Sequence, residues 1–255
     1  MGELGSSPKV VLIFKFNPMK KLLSDGRTNA KTAKNARKSL ILYLAPFDQN
    51  SKGINVCAMA TAGCIHGCLF RTGLASIYKT INEARVARTE YMLSDRRTFI
   101  NQIIDEINRK AKRTEGDLAV RLNGTSDMKL VEMAIATGRT IEPNIVFYDY
   151  SKIPNKVGER VLSSGHRYMV TFSRSEKNED DVIKHVQSGG IGAVVFIDKI
   201  PTTWKGLPVI DGDSRDDLML DAPKGVILGL KAKGKDAKAD TTGFVVRDHL
   251  TANQA

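Results

Sequence analysis

DLAVRLNGTSDMKLVEMAIATGRTIEPNIVFYDYS, residues 117–151, holds two β-rich runs, 117–123 and 144–151, with a helix-patterned stretch, 127–138, between them. Each run is strand-length and apolar, and the middle segment is long enough for a helix. Two strands joined by ten or so helical residues mark a βαβ unit, whose strands lie parallel. The same rhythm continues outward. Further strands are predicted at 166–173 (HRYMVTFS), 192–198 (GAVVFID), 207–211 (LPVID) and 225–232 (GVILGLKA), and further helices at 155–163 and 178–188. Upstream, SLILYLA (39–45) reads as a buried strand ending before Pro46, and the spacing over 72–112 predicts two helices, the second capped by Asp95. The expected fold is α/β: a single-domain (β/α) partial barrel with mostly parallel strands over 39–250, carrying a Cys-rich loop at 55–70 and preceded by a basic N-terminal arm over 1–38.

With 255 residues, 42% of them hydrophobic and 26% charged, the chain has enough apolar surface for a core, which excludes wholesale disorder. No apolar stretch approaches the ~20 residues that span a bilayer, so a transmembrane helix is excluded. The start, MGELGSSPKVVLIFKF, lacks a basic lead and a full signal core, so a soluble, intracellular protein is expected. Thirty-nine basic residues against 28 acidic ones leave a net charge of +11. Residues 1–39 hold nine Lys or Arg against Glu3 and Asp25. Such an excess favours an anionic substrate, a nucleotide or a nucleic acid; the alternative for the arm is a solvated basic surface.

All three cysteines, Cys57, Cys64 and Cys68, fall within NVCAMATAGCIHGCLF. An odd count in an intracellular chain argues against a disulfide framework. Three thiolates suit an iron–sulfur cluster with one iron left open. Zinc is the alternative, with His66 completing a Cys₃His set, although the Cys-x6-Cys gap is long for a zinc knuckle; uncoordinated thiols are the third. Gly63 and Gly67 let backbone approach such a group closely.

The predicted strands end in polar residues: Asn123, Gly124, Thr125, Ser126 and Asp127; Tyr148 to Lys152; Ser173, Arg174, Ser175 and Glu176; Asp211 to Asp213. In α/β barrels and open sheets the carboxyl ends of strands carry the site. Asp149, Arg174 and Glu176 are the catalytic candidates, and residues 123–127 with Ser173 are candidates for holding a cofactor. Strand alternation sets Asp149 opposite Tyr148 and Tyr150. Arg121, on a buried strand, needs an anionic partner, a substrate or Asp149. Asp211 and Asp213 around Gly212 offer paired carboxylates or an ordinary turn. Lys231, Lys233 and Lys235 lack a Walker pattern.

Three cysteines in a loop after the first barrel strand resemble the radical S-adenosylmethionine enzymes, although the spacing here is Cys-x6-Cys-x3-Cys where that family has Cys-x3-Cys-x2-Cys. The resemblance implies a [4Fe–4S] cluster on Cys57, Cys64 and Cys68, S-adenosylmethionine bound to its open iron and to residues 123–127, and radical chemistry on the substrate. The runs LILYLAP, NVCAMATAGCIHGCLFRTG, RLNGTSD, FYDYSK, TFSRSE, PVIDGD and GLKAKGK, in that order, are similar to the phage "gene product 88" domain family over about residues 25–247. That resemblance implies a phage, prophage or plasmid origin and a place in the cytoplasm of an infected bacterium. It leaves the reaction open, with a zinc- or cluster-stabilised nucleic-acid-binding protein of phage replication as the alternative to an iron–sulfur enzyme.

Overall fold

Each long strand is an apolar run whose successive side chains are buried on opposite faces, the pattern of strands covered on both sides. The computed structural model describes residues 19–72 and 74–247. Its strands are β1 (Leu23–Asp25), β2 (Lys38–Leu42), β3 (Leu118–Arg121), β4 (Ile145–Ser151), β5 (Gly158–Val161), β6 (Arg167–Ser173), β7 (Ile191–Phe196), β8 (Thr203–Trp204), β9 (Leu207–Asp211), β10 (Val226–Lys231) and β11 (Val245–Val246). Its helices are α1 (Ala62–His66), α2 (Leu74–Ile77), α3 (Lys79–Ser94), α4 (Arg96–Ala111), α5 (Leu130–Ala136), α6 (Glu179–Gln187) and α7 (Gly234–Lys238).

The sheet runs β1-β2-β3-β4-β6-β7-β10-β9-β8, with β5 beside β6 and β11 beside β7. Pairings from β2 through β3, β4, β6, β7 and β10 to β9 are all parallel. From β2 to β7 each new parallel strand joins the outer side of the last, and β10 then enters between β7 and β9. A doubly wound sheet turns back at a switch point, which β2 to β7 do not do. Cover on the two faces agrees. One face packs Leu40, Leu42, Val120 and Phe147 against α3, α4 and α5, and Val194 and Ile227 against α6. The other, inner face buries Ala119, Val146, Tyr148, Ala193 and Leu228 under Met219 and Leu220 from the chain after β9.

That same stretch reaches back to the chain before β2. Asp217 accepts from the Ala36 and Arg37 backbone at 3.3 and 3.1 Å, Asn35 accepts from Asp216 N at 2.7 Å, and Arg37 grips Asp221. The two regions of the sheet path are thus linked by side chains. The architecture is a mixed α/β fold around a large, mostly parallel sheet.

Helix α4 shows how the sequence specifies the outer layer. Phe99, Ile100, Ile103, Ile104 and Ile107 recur at helical spacing and all are buried, each worth about 1.5–3 kcal/mol of burial. Asp95 caps it as expected, accepting from Thr98 N at 3.0 Å.

The segment 155–163 is not the expected helix. It forms a single 3-10 turn, Pro154–Lys156, and then β5, antiparallel to β6. Gly158 sits at φ 105°, outside the range of any helix, and the hairpin closes through Leu162 N to His166 O at 2.9 Å. The expected basic arm divides: residues 1–18 lie outside the described residues, while 23–25 form β1, and the amides of Leu22, just before it, and of Leu23 donate to Glu106. Lys31 and Arg37 meet Asp216 and Asp217, so these two arm cations are matched within the fold.

Candidate functional site

The loops after β2, β3 and β6 converge at the carboxyl edge of the sheet, around the cysteines. Phe47, an aromatic residue in the left-handed region at φ 39°, turns the chain so that its N–H donates to the Cys57 sulfur at 3.5 Å. Asp127 N donates to Val56 O at 2.9 Å, and a parallel bridge between Cys57 and Asp127 fastens this loop to the end of β3. The Thr61 hydroxyl caps α1, accepting from Cys64 N at 3.3 Å. Glu176, after β6, accepts from the Thr61 hydroxyl at 2.8 Å and from Gly63 N at 3.0 Å. A Cβ at Gly63 would collide with Thr242 and Phe244, so only glycine lets α1 seat there. Cys64 packs beside Ala237 and Phe244.

All three thiols are free and half-buried. Burial pushes the Cys57 thiol up to about 11, and the charges of Cys68 and Cys64 add to the rise. Burial also raises Cys68, against the pull of the Phe70 N–H, Arg85 and Lys152. Each thiol thus lies within electrostatic reach of another. Among the described residues, no three of His, Cys, Asp or Glu gather tightly enough to hold a single metal ion. Three free, half-buried thiols on one stretch of chain are the donor chemistry of a sulfur-ligated metal centre, a cluster or zinc.

Residues 123–127 are committed to the fold. Asn123 Oδ1 accepts from Ser126 and Met128 N, both at 2.9 Å, and its Nδ2 donates to Asp149. Gly124 N donates to Leu42 O, and the Thr125 hydroxyl donates to Leu44 O. Asp127 takes Ser151, Lys152 N and the buried Lys156 ammonium at 2.7 Å. The side chains expected to contact S-adenosylmethionine thus each make hydrogen bonds within the chain.

The three catalytic candidates separate. Asp149 is fully buried and shares the helix-covered side of β4 with Phe147; it accepts from Asn123 and from the Tyr168 hydroxyl at 3.0 Å. Burial pushes its carboxyl up to about 6, with Arg121 and Asn123 holding it from rising further. Arg174 ties Glu179 to the Gly243 and Phe244 carbonyls. Only Glu176 touches the cysteine loop. Ser173 accepts from Lys152 at 3.4 Å, and Lys152 lies 5.6 Å from the Phe244 ring.

Arg121 finds neither a free anion nor primarily Asp149, which stands at 3.9 Å, but Asp216 at 3.1 Å. Tyr148 donates to the same carboxylate at 3.0 Å, and Tyr150 lies under the guanidinium at 4.8 Å. Burial raises the Asp216 carboxyl, but Arg121 and Lys31 outweigh it and leave it below its ordinary range. Asp211 and Asp213 form the turn: Asp211 accepts from Asp213 N, and Asp213 binds Lys233.

A family model described as gene product 88 matches residues 21–248. The chain belongs to the gene product 88 family. No curated protein and no solved structure matches this gene product 88 chain. The comparisons lend no support to the more distant resemblance to radical S-adenosylmethionine enzymes. Among the described residues, no helix of this gene product 88 protein is long and apolar enough to cross a membrane.

Sequence reasoning took Arg85 only as part of a basic helical stretch and Lys152 only as part of a strand end, and it missed Asp216, the partner of Arg121. A signal for Arg85 existed: it stands four and seven residues before Thr89 and Met92, on one helical face that proves buried.

Proposed function

We propose that this gene product 88 protein is a phage-borne iron–sulfur enzyme of the radical S-adenosylmethionine type, acting on an anionic, nucleotide-related substrate. The observation that carries the reading is the set of three free, half-buried thiols on the segment after β2, the first parallel strand of the sheet, at its carboxyl edge. Cys57, Cys64 and Cys68 would hold the cluster, which when bound supplies single-electron chemistry. Glu176 positions the loop by holding Thr61 and Gly63. Phe47 N–H donates to the Cys57 sulfur, as ligands of such a centre require, and Lys152 offers positive charge toward the site. S-adenosylmethionine enters through the resemblance alone, so no step is routed through it.

The test is anaerobic purification with iron, sulfide and zinc analysis, repeated on Cys64→Ala. About four iron per chain with a visible absorption band lost in the variant would support the reading. Cleavage of S-adenosylmethionine after reduction would extend it to the radical type. One zinc per chain with no such band would overturn it.

A second reading, a metal-stabilised nucleic-acid-binding protein, is favoured by an open groove of about 620 Å³ where Arg96, Arg97 and Arg139 surround Ile100 and Met133. It requires binding to nucleic acid that weakens steeply with salt. Negligible binding at low salt would dismiss it.

A further inference from the structure

Arg85 lies in the first half of α3, one turn before Thr89, whose hydroxyl accepts from Ala45 N at 2.9 Å and so fixes α3 against the chain leaving β2. That docking carries the Arg85 side chain inward, where only 8% of the residue remains exposed. Its guanidinium faces two rings, Tyr43 at 5.3 Å and Phe70 at 5.6 Å. Among the described residues, its side chain makes one long polar contact, to Asn82 Oδ1 at 3.4 Å, and its Nε has no partner. Among the described residues no carboxylate stands within ion-pair distance of it. Lys152, across the loop, is likewise met by a hydroxyl and a ring rather than an acid. Both cations border the cysteines: Phe70, under Arg85, stands two residues after Cys68, and Phe244, under Lys152, packs in one cluster with Cys64.

A buried cation without an anion is costly, and proteins pair or neutralise such groups. Two rings stabilise a guanidinium by less than burying its charge costs. The missing anion can be read from the cysteines. A dicationic centre held by three thiolates keeps one net negative charge, whether it is a zinc ion or an oxidised four-iron cluster. We infer that Arg85, supported by Lys152, is the counter-charge of the cysteine loop, and that the site it completes takes a sulfur-ligated metal centre of net negative charge. This rests on the metal-holding role of the cysteines but not on the choice of iron over zinc. Arg85 is therefore a positioning residue, retained for the loaded state and unfavourable in the empty one.

The experiment compares the full-length wild type with Arg85→Met, Arg85→Lys and Lys152→Met, each metal-free and after anaerobic loading with iron and sulfide or with zinc. Arg85→Met is expected to melt at or above the wild type when metal-free, yet to keep several-fold less metal after desalting; Arg85→Lys should recover part of the loss, and Lys152→Met should lose less than Arg85→Met. Wild-type metal retention in Arg85→Met would overturn the inference and leave the metal reading intact. A much lower metal-free melting temperature in Arg85→Met would also overturn it, because Arg85 would then be part of the scaffold. If the wild type takes up neither metal, the metal reading falls by itself. Inorganic phosphate then decides for Arg85: stabilisation of the metal-free wild type but not of Arg85→Met sustains an anion site there, and equal responses overturn it.

Discussion

On the inner face at β3 and β4, Arg121 meets both oxygens of Asp216 at 3.1 Å, and Tyr148 closes on the same carboxylate. At the cysteine rim, among the described residues, Arg85 meets two rings and no acid, and three free thiols stand half-buried. Both regions bury charge where water is scarce. The first is electrostatically complete within the chain and so belongs to the fold, tying the chain after β9 to the sheet. The second lacks such a partner among the described residues, which is what the proposed metal centre would supply. Buried polar groups in folded proteins are paired with few exceptions, so an incomplete cluster at a strand edge points to a ligand more strongly than a saturated one.

The sharpest way to break this contrast is to remove the acid from the complete cluster. Asp216→Ala strands Arg121 in the interior and is expected to cost about 3–5 kcal/mol, read by urea denaturation, whereas Arg85→Met should cost the metal-free protein nothing. Comparable losses in both would erase the distinction between the regions.

Asp149 sharpens the assignment of completed polar clusters to the scaffold. Its folded carboxyl titrates near 6, above the ordinary 3.8, so the folded state binds a proton more tightly than the unfolded chain. That contribution is fully present below about pH 4 and is lost as pH rises through 6, on the order of 3 kcal/mol at most. Relative to Asp149→Asn, the wild type should therefore lose stability between pH 4 and 6 and run parallel above it. A pH-independent difference would remove Asp149 from the account.

Glu176→Gln probes the seam between scaffold and site. Loss of the charge on two hydrogen bonds should lower stability by about 1–2 kcal/mol and leave the cysteine loop more open, seen as faster alkylation of Cys64. Unchanged alkylation would mean that Glu176 does not position the loop. The smallest effect belongs to the surface: Arg139→Ala, breaking a largely exposed pair with Asp105, should change stability by less than about 1 kcal/mol, as a control for the buried substitutions.

Much of the scaffold was legible because burial on two faces forces continuous apolar runs. The strands at 144–151, 166–173 and 207–211 were read close to their observed bounds, and Asp95 was read as a cap from its place before an apolar periodicity. The helix expected at 155–163 failed because Val157 and Val161 suit either period, and the positive φ at Gly158 decides for a hairpin that only β6 can stabilise. Of the site, the cysteines stood out as a cluster, and Glu176 as a strand-end carboxylate. Asp149, Arg174 and residues 123–127 have the same polar chemistry, but sequence does not show whether a polar atom already has a partner.

The sequence alone determined the alternation of strand and helix, the gathering of three thiols on one loop and the basic excess, because these depend on periodicity, spacing and composition. Tertiary structure alone decided that the parallel strands from β2 to β7 add in one direction, that Asp216 arrives from 95 residues away to neutralise Arg121, and that among the described residues no acid stands at Arg85. The physical reason is that charge pairing in the interior depends on distances set by packing, and distances between remote residues are not written in any local pattern of the chain.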